Sequence, residues 1–240
     1  MNETTLSQLS RMKLYGMQHA FESLISNHQH QSLTHDEFIS MLVQAEWEAR
    51  ESKSLSRRVK SARFRYQASM DEIVFLPTRN LDKTQVLRFS DCRFMEQAEN
   101  IIITGPTGVG KSFLISAIGH QACSQGYKVL YTNSQKLFPM LKMAKADDSY
   151  KKELKRIERS DLFILDDFGL QQMDTQNRLC LLEIIEDRYK QKSMIISSQL
   201  PLDKWYDIIG ESTIADAILD RIAHDAHKIE IKGESMRKKK

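Results

Sequence analysis

Residues 105–112 read Gly-Pro-Thr-Gly-Val-Gly-Lys-Ser, one residue after the apolar run Ile101-Ile102-Ile103. Few eight-residue strings restrict a fold more. Glycine lets the backbone adopt conformations, and approach neighbours at distances, that a side chain forbids. Successive N–H groups can then point inward around an anion, and a helix opening at Ser112 adds the positive end of its dipole. The pattern GxxxxGK[ST] between strand and helix is a phosphate-binding loop. It leads us to expect nucleotide contacts from Gly105, Pro106, Thr107, Gly108, Val109, Gly110, Lys111, Ser112 and Phe113. Lys111 is expected to reach the β and γ phosphates as a point charge, and Ser112 to ligate Mg²⁺. No Asn-Lys-x-Asp guanine motif occurs in the chain, so the expected nucleotide is ATP.

From residue 100 onward, short apolar runs alternate with helical segments. Residues 101–103, 129–131, 162–165 and 194–196 are continuously apolar, the pattern of parallel strands buried on both faces. A last strand is expected at 228–231. The fold class predicted for 99–240 is therefore α/β, a P-loop NTPase sheet flanked by helices. Residues 1–70 read differently. Leu14, Met17, Phe21, Leu24 and Ile25, then Phe38, Leu42, Ala45 and Ala49, recur at helical spacing. Thr34 and Glu37 form a capping-box pattern ahead of the second run. Between these regions, 71–98 contains Pro77 and Asn80, loses its period and is expected to be a linker.

A P-loop that hydrolyses ATP also needs a carboxylate on a neighbouring strand. The run at 162–165 leads into Asp166-Asp167. Asp166 is expected to hold Mg²⁺ through water, and Asp167 to orient or deprotonate the attacking water. The run at 194–196 leads into Ser197-Ser198-Gln199, which makes Gln199 a candidate for the γ phosphate or the water.

Hydrophobic residues make up 41% and charged residues 28% of the 240, the balance of a globular protein rather than of a disordered one. No apolar run reaches the 18 residues of a membrane span. Cys92, Cys123 and Cys180 form no CxxC pair, which fits a reducing compartment and makes a cytoplasmic location the expectation. The net charge of +3 names no partner, but its distribution is uneven. Residues 50–65 hold seven bases against one acid, and 228–240 hold six against two. Treated as a helix, 50–66 puts Leu55, Val59, Ala62 and Tyr66 on one face. Arg50, Lys53, Arg57 and Lys60 fall on the opposite face, with Arg58 and Arg63 flanking. A second cluster comprises Lys151, Lys152, Lys155 and Arg156. Such stripes suit the backbone of double-stranded DNA, where affinity comes from counterion release; a merely solvated helix face is the alternative.

Taken together, these motifs resemble the AAA+ ATPases. Within them the chain is most similar to the IstB-like group, helper ATPases of bacterial insertion-sequence transposition related to the helicase loader DnaC. Gly105-Pro-Thr-Gly-Val-Gly-Lys-Ser112, Leu165-Asp-Asp-Phe-Gly169 and Ser197-Ser-Gln-Leu-Pro201 carry the resemblance. Ile218-Leu-Asp-Arg221 and Ile231-Lys-Gly-Glu-Ser-Met-Arg237 are its more selective parts. It implies that Arg221 is an arginine finger on a neighbouring subunit's ATP and Arg237 the second sensor arginine. It also implies a cognate transposase as partner, with ATP-driven assembly on DNA and target selection or delivery. Two departures stand out: Asp167 occupies a position where glutamate is usual, and Gln199 one where asparagine is usual. The nine residues 232–240 are too few for the helical lid of larger relatives. The site is thus expected to be completed by a neighbour, in a homo-oligomer with ATP at subunit interfaces. The alternatives are a DnaC-like helicase loader and a small-molecule P-loop kinase.

Overall fold

The computed structural model describes residues 2–236. The chain divides into two compact units, Met1–Arg57 and Arg58–Lys240. The first contains helices α1 (Asn2–Arg11) and α2 (Tyr15–Ser26) and most of α3 (His35–Ala62). The capping box forms as expected. Thr34 donates its amide to Glu37 Oε2 at 2.8 Å, and the Glu37 amide returns to Thr34 Oγ1 at 3.3 Å. Helix α2 needs a different cap, since no side chain of its own N-cap residue bonds its first turn. The amides of Gly16 and Met17 donate instead to Glu46 Oε2 of α3, at 2.8 and 3.2 Å, while Arg50 Nε holds the other oxygen at 2.6 Å. A side chain at residue 16 would put its Cβ 2.4 Å from the Ala45 carbonyl oxygen, so this approach of two backbones demands glycine. Burial works against the Glu46 carboxylate, yet the bonds from Arg50, Met17 and Gly16 hold its pKa below the ordinary value.

Helix α3 stops at Ala62 because Arg63 turns to φ 60°. The amphipathic helix expected over 50–66 is therefore shorter, and Tyr66 does not continue its apolar face. The next residues leave the helix to bury aromatic surface. Phe64 lies 4.4 Å from the His120 ring and 6.2 Å from the Tyr131 ring, centroid to centroid. The segment 71–98, expected as a linker, is packed into the second unit. It forms several short helical turns, including α4 (Lys83–Leu87) and α5 (Arg93–Glu96), and buries Ile73, Leu81, Val86, Phe89 and Phe94. Turns of three to five residues are too short to display a 3.6-residue period, which is why the sequence pattern vanishes there.

The core then alternates strands with one or two helices: β1 (Ile101–Thr104), α6 (Lys111–Ser124), β2 (Val129–Asn133), α7 (Ser134–Ala146), α8 (Tyr150–Glu158), β3 (Leu162–Phe168), α9 (Thr175–Arg188) and β4 (Ser193–Ser198). Helices α10 (Trp205–Ile209) and α11 (Ser212–Ala223) precede β5 (His227–Glu230). The five strands are parallel in the order β2-β3-β4-β1-β5. Ile101, Ile102, Ile103, Phe163, Ile164 and Ile195 are buried, as continuous apolar strands between two helical layers require. Because β1 sits between β4 and β5, the chain leaving it must cross two strands to reach β2. That reversal opens a crevice at the carboxyl ends of the strands, where ligands of such sheets bind. No helix of the described residues is long and apolar enough to cross a membrane.

A buried arginine fastens the opposite ends of the strands. Arg188, 2% exposed, donates to the carbonyls of Ile157, Ser160 and Ser193 at 2.9, 3.0 and 2.7 Å. Burial pushes its pKa down to about 10. One side chain thereby joins the end of α8 to the starts of β3 and β4. Replacing it with alanine leaves three carbonyls short of a donor, so Arg188→Ala is expected to lower the unfolding free energy by about 3 kcal/mol or more. Urea denaturation measures this; a loss under about 1 kcal/mol would contradict the assigned role.

Candidate nucleotide site

The loop leaving β1 is shaped by its neighbours. Gly105 has φ 145°, and a Cβ there would fall 2.1 Å from the Ile231 carbonyl oxygen. Gly110 has φ 96° and forms the N-cap of α6 without any side-chain bond, leaving the first amides of α6 available to an anion. Lys111 is 5% exposed and its Nζ rests on the carbonyls of Gly105 and Pro106, at 2.7 and 2.9 Å. The ammonium is thus held over the loop it serves.

A cavity of about 370 Å³ opens beside the loop. It brings together Thr107, Gly108, Gly110, Lys111, Ser112 and Phe113 with Asp167 and Gln199. Gly105, Pro106 and Val109, also expected at the nucleotide, are not among its lining residues, and the Val109 side chain is buried in the core at 1% exposure. Gln199 accepts a hydrogen bond from Thr107 Oγ1 at 2.6 Å, so the tip of β4 touches the loop as its sequence position suggested.

The two aspartates separate sharply. They lie within β3, where its pairing with β4 is irregular between Leu165 and Phe168, and Asp167 takes φ 55°. Asp166 points inward and is fully buried. It accepts hydrogen bonds from the Tyr131 hydroxyl, from Ser197 Oγ and, at 2.9 Å, from the Asp167 amide. Burial, and then the adjacent Asp166 carboxylate, push the Tyr131 hydroxyl far above its ordinary pKa, so it remains a donor. Asp167 turns outward and lines the cavity. Its Oδ2 accepts from Arg65 Nη1 at 3.1 Å and from Asn133 Nδ2 at 2.9 Å. Asp166, expected as the Mg²⁺ partner, is not among the lining residues. The irregular pairing breaks the simple alternation of the strand and gives the cavity-facing position to its neighbour.

The other end of the cavity was not foreseen. Ile73, Val74, Leu81 and Met236 form an apolar wall, and Arg65 and Arg79 close two of its sides. The chain after β5 runs over the loop, with the Met236 amide donating to the Gly108 carbonyl at 3.0 Å. Residues of the 65–81 segment and Met236 thus provide walls of the cavity. A run of three- to five-residue turns offers no signal by which sequence could assign that task.

Arg221 lies elsewhere. It pairs with Glu186 at 3.5 Å, donates to the Ala217 carbonyl at 2.8 Å and stands 5.8 Å from the Tyr189 ring centroid. Asn100, at the start of β1, reaches toward its backbone. Arg237 falls outside the described residues.

The basic residues also part company. On α3, Arg50 is bound to Glu46, Lys53 stands 5.9 Å from the Tyr15 ring centroid, and Arg57 and Lys60 are exposed. Arg58 donates to the Cys123 carbonyl at 2.8 Å, so part of its charge is spent on the end of α6. Beside the edge strand β2 runs a groove of about 630 Å³, which Arg63, Lys136 and Arg156 line together with Asn133, Arg65 and Asp167. It adjoins a hollow of about 590 Å³ lined by Lys128, Lys151, Lys152, Lys155, Arg156 and Arg159. Glu153 and Arg156, themselves 3.5 Å apart, line both. Two clusters remote in sequence thus meet along one edge of the sheet.

Known proteins resemble this chain along most of its length. The family described as IstB-like ATP binding protein matches residues 7–240. An insertion sequence ATP-binding protein of Sinorhizobium fredii, y4pL, is 42% identical over 234 residues, covering 98% of this chain and 96% of that one. The ATP-binding protein of insertion sequence IS21 from Pseudomonas aeruginosa is 31% identical over 231 residues, covering 96% and 87%. Among solved structures, the DnaC helicase loader superposes with a TM-score of 0.60 at 21% identity, over 70% of this chain and 98% of that one. DnaI superposes equally well, at 22% identity over 69% and 92%. At such identities the likeness concerns the fold alone. Lys111→Ala is expected to weaken ATP binding at least about tenfold by removing the ammonium set on the loop. Isothermal titration checks it, and an unchanged affinity would contradict the site.

Proposed function

Since the chain belongs to the family of IstB-like ATP-binding proteins, we propose that it is a DNA-dependent ATPase that helps a transposase. It assembles on double-stranded DNA with ATP and promotes selection or delivery of the insertion target. One observation carries the reading: Arg65 and Asp167 line both the nucleotide cavity and the basic groove. A phosphate backbone in the groove and a triphosphate in the cavity would act on the same ion pair.

In this mechanism the amides of α6 and Lys111 draw the phosphates into the loop. Ser112 and Asp167 would supply oxygen donors of the kind Mg²⁺ takes. When bound, Mg²⁺ neutralises charge on the β and γ phosphates. Asp167 and Gln199 orient the attacking water. Asp166 holds Asp167 in place through its amide.

As an arginine finger, Arg221 would act between subunits. Arg221 adjoins Asn100 at one end of β1, and the loop begins at Gly105, at the other end. The four strand residues between Asn100 and Gly105 separate these points by about 16 Å, so Arg221 is too far to serve its own chain's γ phosphate. A homo-oligomer with ATP at its interfaces removes the difficulty, because a neighbour then supplies the cation that developing charge rewards. Arg221 leaves Glu186 and swings outward when the neighbour docks.

Steady-state ATP turnover with and without duplex DNA tests the function, and duplex is expected to raise the rate; equal rates would refute a DNA-dependent ATPase. Mixing Arg221→Ala with Lys111→Ala protein should restore turnover that neither variant shows alone, and a mixture as inactive as its parts would refute a finger acting in trans. Changing Arg63, Lys152 and Lys155 together to glutamine should weaken binding to unrelated duplexes alike. The salt dependence, d log K/d log[salt], should become shallower by about 0.9 for each phosphate that is no longer neutralised. An effect confined to one DNA sequence would contradict backbone recognition.

A further inference from the structure

Arg79 ends the short turn Pro77–Arg79 and is 7% exposed. Its Nη1 donates to the Val74 carbonyl and its Nη2 to the Val109 carbonyl at 2.5 Å, while Nε has no partner among the described residues. No carboxylate of the described residues pairs with it, and burial alone acts on the group, lowering its pKa. A buried cation without an anion is expensive, and proteins rarely keep one without a counter-charge.

The place of this cation suggests what balances it. Arg79 lines the nucleotide cavity, and a Cβ on Gly110 would stand 2.9 Å from its Nη2. One amino group rests on the apolar wall at Val74 and the other on the loop at Val109. Arg79 therefore sits between the apolar wall and the phosphate-binding loop. Two carbonyls satisfy hydrogen bonding but leave the charge uncompensated. Its backbone is fixed as well: the Lys232 amide donates to the Arg79 carbonyl at 2.9 Å. The guanidinium is thus held at the site before any ligand arrives.

We propose that Arg79 is a nucleotide-binding residue whose uncompensated buried charge is completed by the phosphates common to ADP and ATP. The inference rests on reading the cavity as the ATP site. It adds to the loop lysine a second cation, contributed from outside the core sheet, that recognises nucleotide irrespective of the γ phosphate.

A charge series in the full-length protein tests it, with Mg-ATP and Mg-ADP titrated calorimetrically into the wild type, Arg79→Gln and Arg79→Lys. Glutamine keeps an N–H donor for a carbonyl but no charge; lysine keeps the charge but not the fork. The expected result is a loss of about tenfold for both nucleotides with Arg79→Gln and of less than about threefold with Arg79→Lys, at similar melting temperatures. Wild-type affinity in Arg79→Gln would overturn the proposal. Equal losses in the two variants would too, since they would reduce Arg79 to a clamp on the loop. A loss limited to ATP would overturn the assignment to the shared phosphates. Should Arg79→Gln fail to fold, a folded Arg79→Lys decides: a tenfold loss refutes the proposal and near-wild-type affinity supports it. A wild type that binds neither nucleotide would remove the reading of the cavity itself, an outcome distinct from all of these.

Discussion

Three strands are tied together at the carboxyl end of the sheet by one carboxylate with no access to water. Asp166 accepts hydrogen bonds from Tyr131 on β2, Ser197 on β4 and the Asp167 amide on its own strand. In a medium of low dielectric such bonds are strong, and losing any donor leaves a buried charge short of partners. The strand ends are therefore fixed relative to each other, and so are the groups that hang from them. Asp167 owes its outward direction to this bond and to the irregular pairing beside it. Gln199, two residues past Ser197, owes to it its reach toward Thr107. Asp166, buried beneath the cavity, also anchors the backbone from which the outward carboxylate hangs.

How much of this can be read from the amino acids depends on whether a feature is local. The loop at 105–112, the alternation of buried strands with helices and the Thr34–Glu37 cap all rest on spacings within a few residues, and each is found where the pattern puts it. The strand ends at Asp166-Asp167 and Gln199 were legible as positions. Which aspartate turns outward was not, because an irregularity in the pairing of β3 with β4 overrides the two-residue period. The nucleotide walls were harder still. Ile73, Val74, Arg79 and Leu81 belong to a stretch with no periodicity, and Met236 comes from the other end of the chain. Arg65 looked like one more base in a run; its partner Asp167 lies 102 residues away.

Charge placement shows the same division between composition and structure. A basic run in a sequence reads as a uniform stripe, but the folded chain assigns its members separate tasks. Arg50 holds a capping carboxylate, Arg58 a helix end, Arg65 an aspartate of the cavity, and Arg63 lines a groove with bases from α7 and α8. A polyanion would meet only those whose charge is not already committed. Counting bases therefore overstates the surface available to it. The meeting of 63 with 151–156 along β2, by contrast, could be found only in three dimensions.

The chain after β5 crosses the phosphate loop closely enough that Gly108 tolerates no side chain against Ser235, with an added Cβ 2.1 Å from its hydroxyl. Anything joined to this stretch borders the cavity. A fluorophore placed at Met236 would sit in the cavity wall and report occupancy directly, in real time and without radiolabel. A bulky purification handle spliced in at the same point would obstruct the mouth it was meant to leave alone.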